Sequence, residues 1–470
     1  MAARLRDALE EAGAFLLAEG PRWMIVFLIC FAPFCYGLRD GAGEDFFSAV
    51  AFFAFFLFAW KCFLDGRWPK LPSWFLFCVT WILLQGFWMS LNANSHYRFH
   101  HDYITARFLE PAPFPELPGS RTRFRTPGHF YPQVGVLCLM VIVINAGRER
   151  RESYLKLMAG VAIVFAAFAI GFKIWGIEGL KNLWSLERDE AYQTVFGTYR
   201  YHGNAATYLA IGLALTVGAI LSAGFSRGRP RAIFFTVGLP ILLMGAAMNT
   251  SRAGWALAIY VIGAGLIATV GIVRRGRFGT RLTGRLMVSL GLTTAILATA
   301  AFLMFWADKG FKLEKLDKAA EHVTSRYPLF LFQKMAAETP NFGFGPGSFP
   351  MVFPKYQVFF PGHYSMQSWL NEAHQDYFQF FFDWGPVGVG PWMIIFFAPI
   401  LTAIRRPNLQ HPVSEPFQIM GIAALSAVLI HAVFDFPLQI TSLLLYFCLI
   451  AACLTVPGPD SGELKKPAGV

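Results

Sequence analysis

The sequence predicts an all-α polytopic membrane protein, and three observations carry that prediction. The first is composition: 55% of the 470 residues are hydrophobic and only 15% are charged, against roughly 25% charged in an ordinary soluble domain. The second is that apolar runs of about 20 residues recur along the chain, each long enough to cross a bilayer as a helix. The third is where the net charge of +11 falls. Basic residues collect in alternate short loops, at Arg67 and Lys70, at Arg148, Arg150 and Arg151, at Arg227, Arg229 and Arg231, from Arg274 to Arg285, and at Arg405 and Arg406. Loops enriched in this way stay on the cytoplasmic side, so the excess charge reads as orientation and not as a nucleic-acid footprint.

Taken in order, the apolar runs give twelve spans: 22–38, 46–64, 71–91, 131–146, 156–175, 203–224, 231–249, 254–273, 286–306, 385–404, 417–436 and 437–456. Met1–Gly20 is a charged amphipathic stretch, not the short apolar core of a cleaved signal. An even number of spans puts both termini in the cytoplasm. One transmembrane domain therefore covers 1–456, followed by a polar cytoplasmic tail at 457–470. The seven cysteines all lie inside apolar runs, where they read as small core residues and not as a disulfide framework.

Three outer loops, 92–130, 176–202 and 307–384, exceed what a connection needs, and long loops in compact proteins are usually functional or disordered. The third is rich in Phe, Trp and Tyr, which argues for order. Leu313, Leu316, Ala320, Val323 and Tyr327 recur at helical spacing. Thr324–Ser325 suits the cap of a second helix, with Pro328 in its first turn and an end before Pro340. "NFGFGPGSF" (341–349) is a glycine-proline turn, and a last helix from about Ser368 is expected to carry His374 toward the tenth span.

Several residues in these regions have the chemistry of a site. His374, between Glu372 and Asp376 in "NEAHQDYFQ", is either a general base for a hydroxyl group or a histidine satisfied within a packed core. Arg252 in "NTSRAGW" and Arg326 in "VTSRYP" both fall in the first turn of an expected helix. A cation there opposes the helix dipole, yet free N–H groups and an Arg fork together make a good diphosphate cradle. Snorkelling toward lipid head groups is the competing reading. Arg200 is a third, weaker cation, and Arg98, Arg107, Arg121, Arg123 and Arg125 add positive charge to the first outer loop, against the orientation rule. His431 and Asp435 stand four apart on one face of the eleventh span. Ionisable residues in a membrane are functional suspects, and an internal His–Asp hydrogen bond that locks packing is the favoured alternative. "HYRFHHD" (96–102) has Tyr97 where the zinc-helix motif has glutamate, so no metal site is expected.

These segments resemble the O-antigen ligase and Wzy-type polysaccharide polymerase superfamily. His374-Gln375, followed after nine residues by Gly385-Pro386-Val387-Gly388, is similar to its signature. "TSRAGW", "SRYPLFLFQKMAAETPNFGFGPGSF", "NEAHQDYFQ" and "HAVFDFPL" resemble its other recurrent segments in the same order, from about Arg200 to Leu438. Gln375 departs from the commoner Asn. The resemblance implies a GT-C-class glycosyltransferase of the bacterial inner membrane with a long periplasmic helical loop, working at the periplasmic face without metal or other cofactor. It implies an undecaprenyl-diphosphate-linked glycan as donor and a lipid A–core or other saccharide as acceptor. His374 matches the catalytic histidine and Arg252 and Arg326 the two essential arginines. Arg200, Gln375 and Tyr377 are further candidates for substrate contact, with His431, Asp435, Gly385 and Gly388 in support. Ligation, polymerisation and protein O-glycosylation stay open, and a twelve-span transporter or flippase is the rival of a different class, although no internal repeat is evident.

Overall fold

The computed structural model describes residues 2–35, 37–38, 41–93, 112–175, 195–223, 229–249, 251–274, 329–357, 370–405 and 412–458. Among these, regular structure is helical and no strand is formed. The first helices are α1 (Ala2–Phe31), α2 (Gly41–Leu64), α3 (Ser73–Leu91), α4 (Arg125–Ile144), α5 (Arg148–Trp175), α6 (His202–Ala223), α7 (Arg229–Met248) and α8 (Arg252–Arg274). A short loop group follows, α9 (Leu329–Glu338), α10 (Phe349–Val352) and α11 (Pro354–Gln357), and then α12 (Asp376–Arg405), α13 (Glu415–His431) and α14 (Thr441–Leu454). Eight of the described helices are long and apolar enough to cross a bilayer, and three shorter apolar helices occupy Ala232–Met248, Glu415–His431 and Thr441–Leu454. The expected ninth span, 286–306, and the amphipathic stretch from Leu313 to Tyr327 lie outside the described residues.

α6 and α14 form the centre. Every residue of α6 from Gly203 to Ser222 is buried, sheathed by α5, α7, α8 and α13. α14 is buried along its whole length against α4, α12 and α13. Lipid tails give apolar helices little reason to associate, so close backbone approach must supply the attraction. The small residues of α6 allow it: a Cβ added at Gly212 would sit 2.3 Å from the Ala162 Cβ of α5. Several polar groups in this core are satisfied internally. Tyr208 and Tyr446 share a hydroxyl–hydroxyl bond of 3.2 Å, and Tyr446 donates to the Ile29 carbonyl at 2.8 Å, which ties α6, α14 and α1 together. Phe56, Phe63, Leu84, Ile233, Ile259 and Ile267 stay exposed, an outward apolar face suited to lipid. All seven cysteines are free thiols.

Successive helices alternate in direction, so the bundle has two unlike ends. At one, Arg67, Lys70, Arg148, Arg150 and Arg405 gather beside the termini of α4 and α14. Arg151 is buried there at 1% exposure. Its Nε donates to the Ala146 carbonyl at 2.8 Å and its Nη1 to Cys453 and Thr455 at 3.1 and 2.7 Å, while Nη2 reaches the Ile144 carbonyl. At the other end meet the starts of α6, α8, α12 and α14 and the end of α13. The Asn249 amide bonds the His202 carbonyl at 3.0 Å, the Asp376 amide the Ala432 carbonyl at 2.9 Å, and the Ser442 amide the Gly37 carbonyl at 3.0 Å.

Several boundaries differ from the sequence expectation. α1 runs from Ala2 to Phe31 against the expected span 22–38, and α4 and α5 begin at Arg125 and Arg148, ahead of the expected 131 and 156. α12 begins at Asp376, nine residues before the expected tenth span, and Gly385 breaks it from within (φ 69°, ψ 173°). Residues 371–375 are not helical, so no helix from Ser368 carries His374. α13 stops at His431, and the expected junction of spans eleven and twelve is a turn closed by a 3-10 segment, Pro437–Gln439.

The break at Gly385 frees three carbonyls of α12, and each is re-satisfied, as a membrane helix requires. Phe382 accepts from the Phe344 amide at 3.0 Å and Asp383 from the Gly345 amide at 2.9 Å. Trp384 accepts from the Gln85 side chain of α3 at 2.8 Å. The glycine-proline turn therefore docks directly into the break. Gly343 and Gly385 lie back to back: a Cβ on Gly385 would stand 2.3 Å from both the Asn341 oxygen and the Gly343 nitrogen. Gly388 makes room for Gln85, whose side-chain oxygen lies 2.5 Å from where its Cβ would be. Gly385→Ala should cost about 1–3 kcal/mol from backbone strain alone, with the steric clash added. A lower thermal midpoint in detergent, together with faster proteolysis between Pro340 and Phe349, is the expected result; an unchanged midpoint would show that the break tolerates a side chain.

Candidate functional site

The site is built where α12 begins. Gln375 precedes the first helical residue and caps the helix, its side-chain oxygen accepting the Phe378 amide at 2.5 Å. Gln379 reaches back in return and accepts the Ala373 amide at 2.7 Å. This reciprocal cap turns the chain sharply, and His374 sits at the turn with φ +50°, one of two described non-glycine residues with positive φ. A left-handed histidine is uncommon and costs conformational energy, which the fixed surroundings must offset.

Asp376 supplies the fixing. Its amide reaches the Ala432 and Asp435 carbonyls at 2.9 and 3.2 Å, and its carboxylate accepts the Leu438 amide at 2.8 Å. The turn between α13 and α14 is thus clamped onto the start of α12, which brings Asp435 against His374: His374 Nδ1 lies 3.2 Å from Asp435 Oδ1. The second carboxylate oxygen, Oδ2, lies 3.4 Å from His431 Nε2, and His431 Nδ1 is 2.5 Å from the Thr207 hydroxyl of α6. The four side chains form a continuous series, from a histidine one-fifth exposed to one that is 2% exposed.

The series fixes proton positions. A carboxylate only accepts, so His374 donates from Nδ1 and its Nε2 is the basic atom. His431 likewise donates from Nε2, and its Nδ1 accepts the Thr207 hydroxyl. Burial raises the Asp435 pKa, but the hydrogen bonds from His374 and His431 outweigh it and hold the group below the usual carboxylate range. Apolar rings bracket the imidazole. Phe436 meets His374 edge-on at 4.6 Å, Tyr201 does so at 6.0 Å, and Tyr201 stacks on Phe436 at 5.4 Å. Gly203 lets α6 approach this closely, since a Cβ there would lie 2.5 Å from Asp435 Oδ2.

The structure brings the expected residues together unevenly. His374, His431 and Asp435 form one unit, in which Asp435 joins two histidines and not His431 alone. Arg252 is exposed at the first turn of α8, whose cap is Ser251, accepting the Gly254 amide at 3.2 Å. Asn249 pins that cap to the start of α6, accepting the Ser251 amide through its side chain while donating to His202. Arg252 therefore stands on the helix end that neighbours the Tyr201 bracket. Arg200 is exposed just before Tyr201. Tyr377 donates its hydroxyl to the Leu429 carbonyl at 2.8 Å, and Gln375 spends its side-chain oxygen on the cap. Arg326, Arg98, Arg107 and "HYRFHHD" lie outside the described residues.

No family model matches the chain, and no curated protein matches it.

Sequence reasoning missed Asp435 as the partner of His374, the Tyr201–Phe436 bracket and the Thr207 terminus. The 61-residue separation between His374 and Asp435 leaves no local spacing to read. A signal does exist in "HAVFDFPL", where an acid, an aromatic and a proline stand in succession after a membrane histidine and three intervening residues.

What the arrangement can do chemically is accept a proton at His374 Nε2 while the carboxylate stabilises the imidazolium that forms. It does so at a helix-terminus-rich end of the bundle, where anionic groups are favoured.

Proposed function

We propose that the chain is a glycosyltransferase that moves a glycan from an undecaprenyl-diphosphate-linked donor to a saccharide hydroxyl. The observation that carries this reading is the Asp435-oriented imidazole of His374, on the bundle end opposite the basic loops. By the positive-inside rule that end is periplasmic and the termini are cytoplasmic, as for an enzyme of the bacterial inner membrane. His374 takes the proton of the acceptor hydroxyl at Nε2. The acceptor oxygen forms a bond to the anomeric carbon from the face opposite the diphosphate, the anomeric carbon–oxygen bond breaks, and undecaprenyl diphosphate leaves with the bonding pair. The centre inverts. The leaving group is already good, so charge stabilisation and positioning matter more than a general acid. Arg252 supplies the first of these, and Arg326 is the proposed second guanidinium by resemblance. A GT-C arrangement of twelve spans, nine of them before the 307–384 loop, belongs to the same proposal.

The test is release of undecaprenyl diphosphate by the purified protein, given lipid-linked donor and a panel of acceptors. A lipid A–core acceptor separates ligation from repeat-unit polymerisation and from protein O-glycosylation. Movement of donor across the bilayer without release of diphosphate would make the chain a transporter or flippase instead. Arg252→Lys should lower transfer about 10- to 100-fold, the worth of one charge-assisted hydrogen bond, because lysine keeps the charge and loses the fork. Full rates in this variant would remove Arg252 from the cradle.

A further inference from the structure

The first outer loop has no part in the chemistry above, yet its described residues from 112 onward are held by many hydrogen bonds. Asn92, at the end of α3, donates to the Phe114, Leu117 and Pro118 carbonyls at 3.0, 3.1 and 2.9 Å and accepts the Phe114 amide at 2.9 Å. Trp88 donates to the Pro118 carbonyl at 2.8 Å and stacks on Phe114 at 5.9 Å. The Ser120 and Arg121 amides bond the Met89 and Phe344 carbonyls at 3.2 and 2.8 Å. Gly119 and Gly345 are packed so closely that a Cβ on either would lie within 2.3 Å of a neighbouring oxygen. This part of the loop is fastened to the turn that fills the α12 break.

Between the two lies a cleft of about 410 Å³, formed by residues 115–119, Arg121 and residues 340–343, a volume in the range of small-molecule sites. Its walls mix two characters. Pro118, Pro340 and Phe342 present flat apolar faces, while Glu116, Arg121 and Asn341 present an acceptor, donors and an amide. Glu116 and Arg121 line the same cleft, and Asn341 is exposed. With one carboxylate beside one guanidinium the cleft has no net charge, which disfavours a phosphate. Flat apolar faces interleaved with mixed donors and acceptors suit a sugar ring, which has C–H faces and a rim of hydroxyls. Phe114 and Leu117 beside the cleft remain half exposed, as befits a position at the bilayer edge. Along α12, the docking point at Asp383 is about 12 Å from Gln375, at 1.5 Å per residue, within reach of a short oligosaccharide.

We propose that this cleft binds a saccharide, the non-reacting part of the acceptor glycan, and so sets the register in which a hydroxyl meets His374. The assignment of that saccharide to the acceptor rests on the glycosyltransferase reading; the carbohydrate preference of the cleft does not. The experiment uses the full-length protein in nanodiscs, with saturation-transfer NMR on two probes, chitobiose and a delipidated lipopolysaccharide core oligosaccharide, and with inorganic pyrophosphate as competitor. The variants are Asn341→Trp, which fills the cleft from an exposed position, Glu116→Gln, and His374→Ala. A saccharide signal is expected in the native protein and in His374→Ala, reduced at least tenfold in Asn341→Trp and weakened in Glu116→Gln, and unmoved by pyrophosphate. In transfer assays Asn341→Trp should raise KM for the acceptor about tenfold and leave kcat within twofold. Absence of saccharide binding in the native protein, equal binding in well-folded Asn341→Trp, or displacement by pyrophosphate would overturn the proposal. Saccharide binding that Asn341→Trp abolishes, in a protein that transfers no glycan, would support the cleft and sink the glycosyltransferase reading alone.

Discussion

His374→Ala is expected to lower glycan transfer by about 10²–10⁴-fold, the usual worth of a positioned general base. The protein should insert and fold, because His374 is partly exposed, with only a modest loss of stability from alanine in the left-handed backbone. Asp435→Asn is the sharper probe of the same unit. Asparagine can still accept the Phe436 amide, which now bonds Oδ1 at 3.1 Å, so the turn is kept. That oxygen also faces His374 Nδ1 and still accepts from it, but the neutral amide no longer stabilises the imidazolium, and its NH2 group meets His431 Nε2, which is forced to accept there. A fall of about 10²-fold or more in kcat, with the donor KM little changed, is the expected signature. Transfer at the native rate in His374→Ala, measured with purified protein and undecaprenyl-diphosphate-linked donor, would remove the base and the mechanism with it.

The second large effect is on stability. Arg151→Leu is expected to lower stability by about 3 kcal/mol or more and to cut the yield of monodisperse protein. The guanidinium sits at 1% exposure and donates to carbonyls at the ends of both α4 and α14. A cation at two helix C-termini complements both dipoles. Leucine would leave several buried carbonyls without a donor, at about 1–3 kcal/mol each. Arg151→Lys should recover part of the loss, since lysine keeps the charge but its three donors radiate from one nitrogen. The thermal midpoint in detergent measures both variants, and a midpoint equal to the native one in Arg151→Leu would show that water or relaxation replaces the guanidinium.

Arg151 also shows how sequence and structure divide the information. In the sequence it is one of several basic residues in a short loop, and orientation explains it as well as Arg148 or Arg150. Only packing separates them, by sealing Arg151 between two helix ends while Arg150 pairs with Glu19 near the surface at 2.6 Å. The glycines divide similarly. Gly385 and Gly388 are visible as a spaced pair, but a spacing cannot say that one breaks α12 and the other admits Gln85. Gln375 and Tyr377 read as neighbours of His374 in the sequence; only the fold gives one a helix cap and the other a carbonyl partner across the helix interface.

The sequence by itself determined that this chain is helical and apolar enough to cross a bilayer many times, and which residues can carry charge at membrane depth. Those properties are local: they follow from the length of apolar runs, from the cost of burying charge, and from the positions of Gln, Gly and Pro along the chain. Tertiary structure alone decided that Asp435, and not Glu372 or Asp376, faces His374, and that the first outer loop and the glycine-proline turn enclose a cleft. Both depend on contacts between segments 61 residues apart or more, and side chains so distant along the chain meet only where packed helices leave no other arrangement of their buried polar groups.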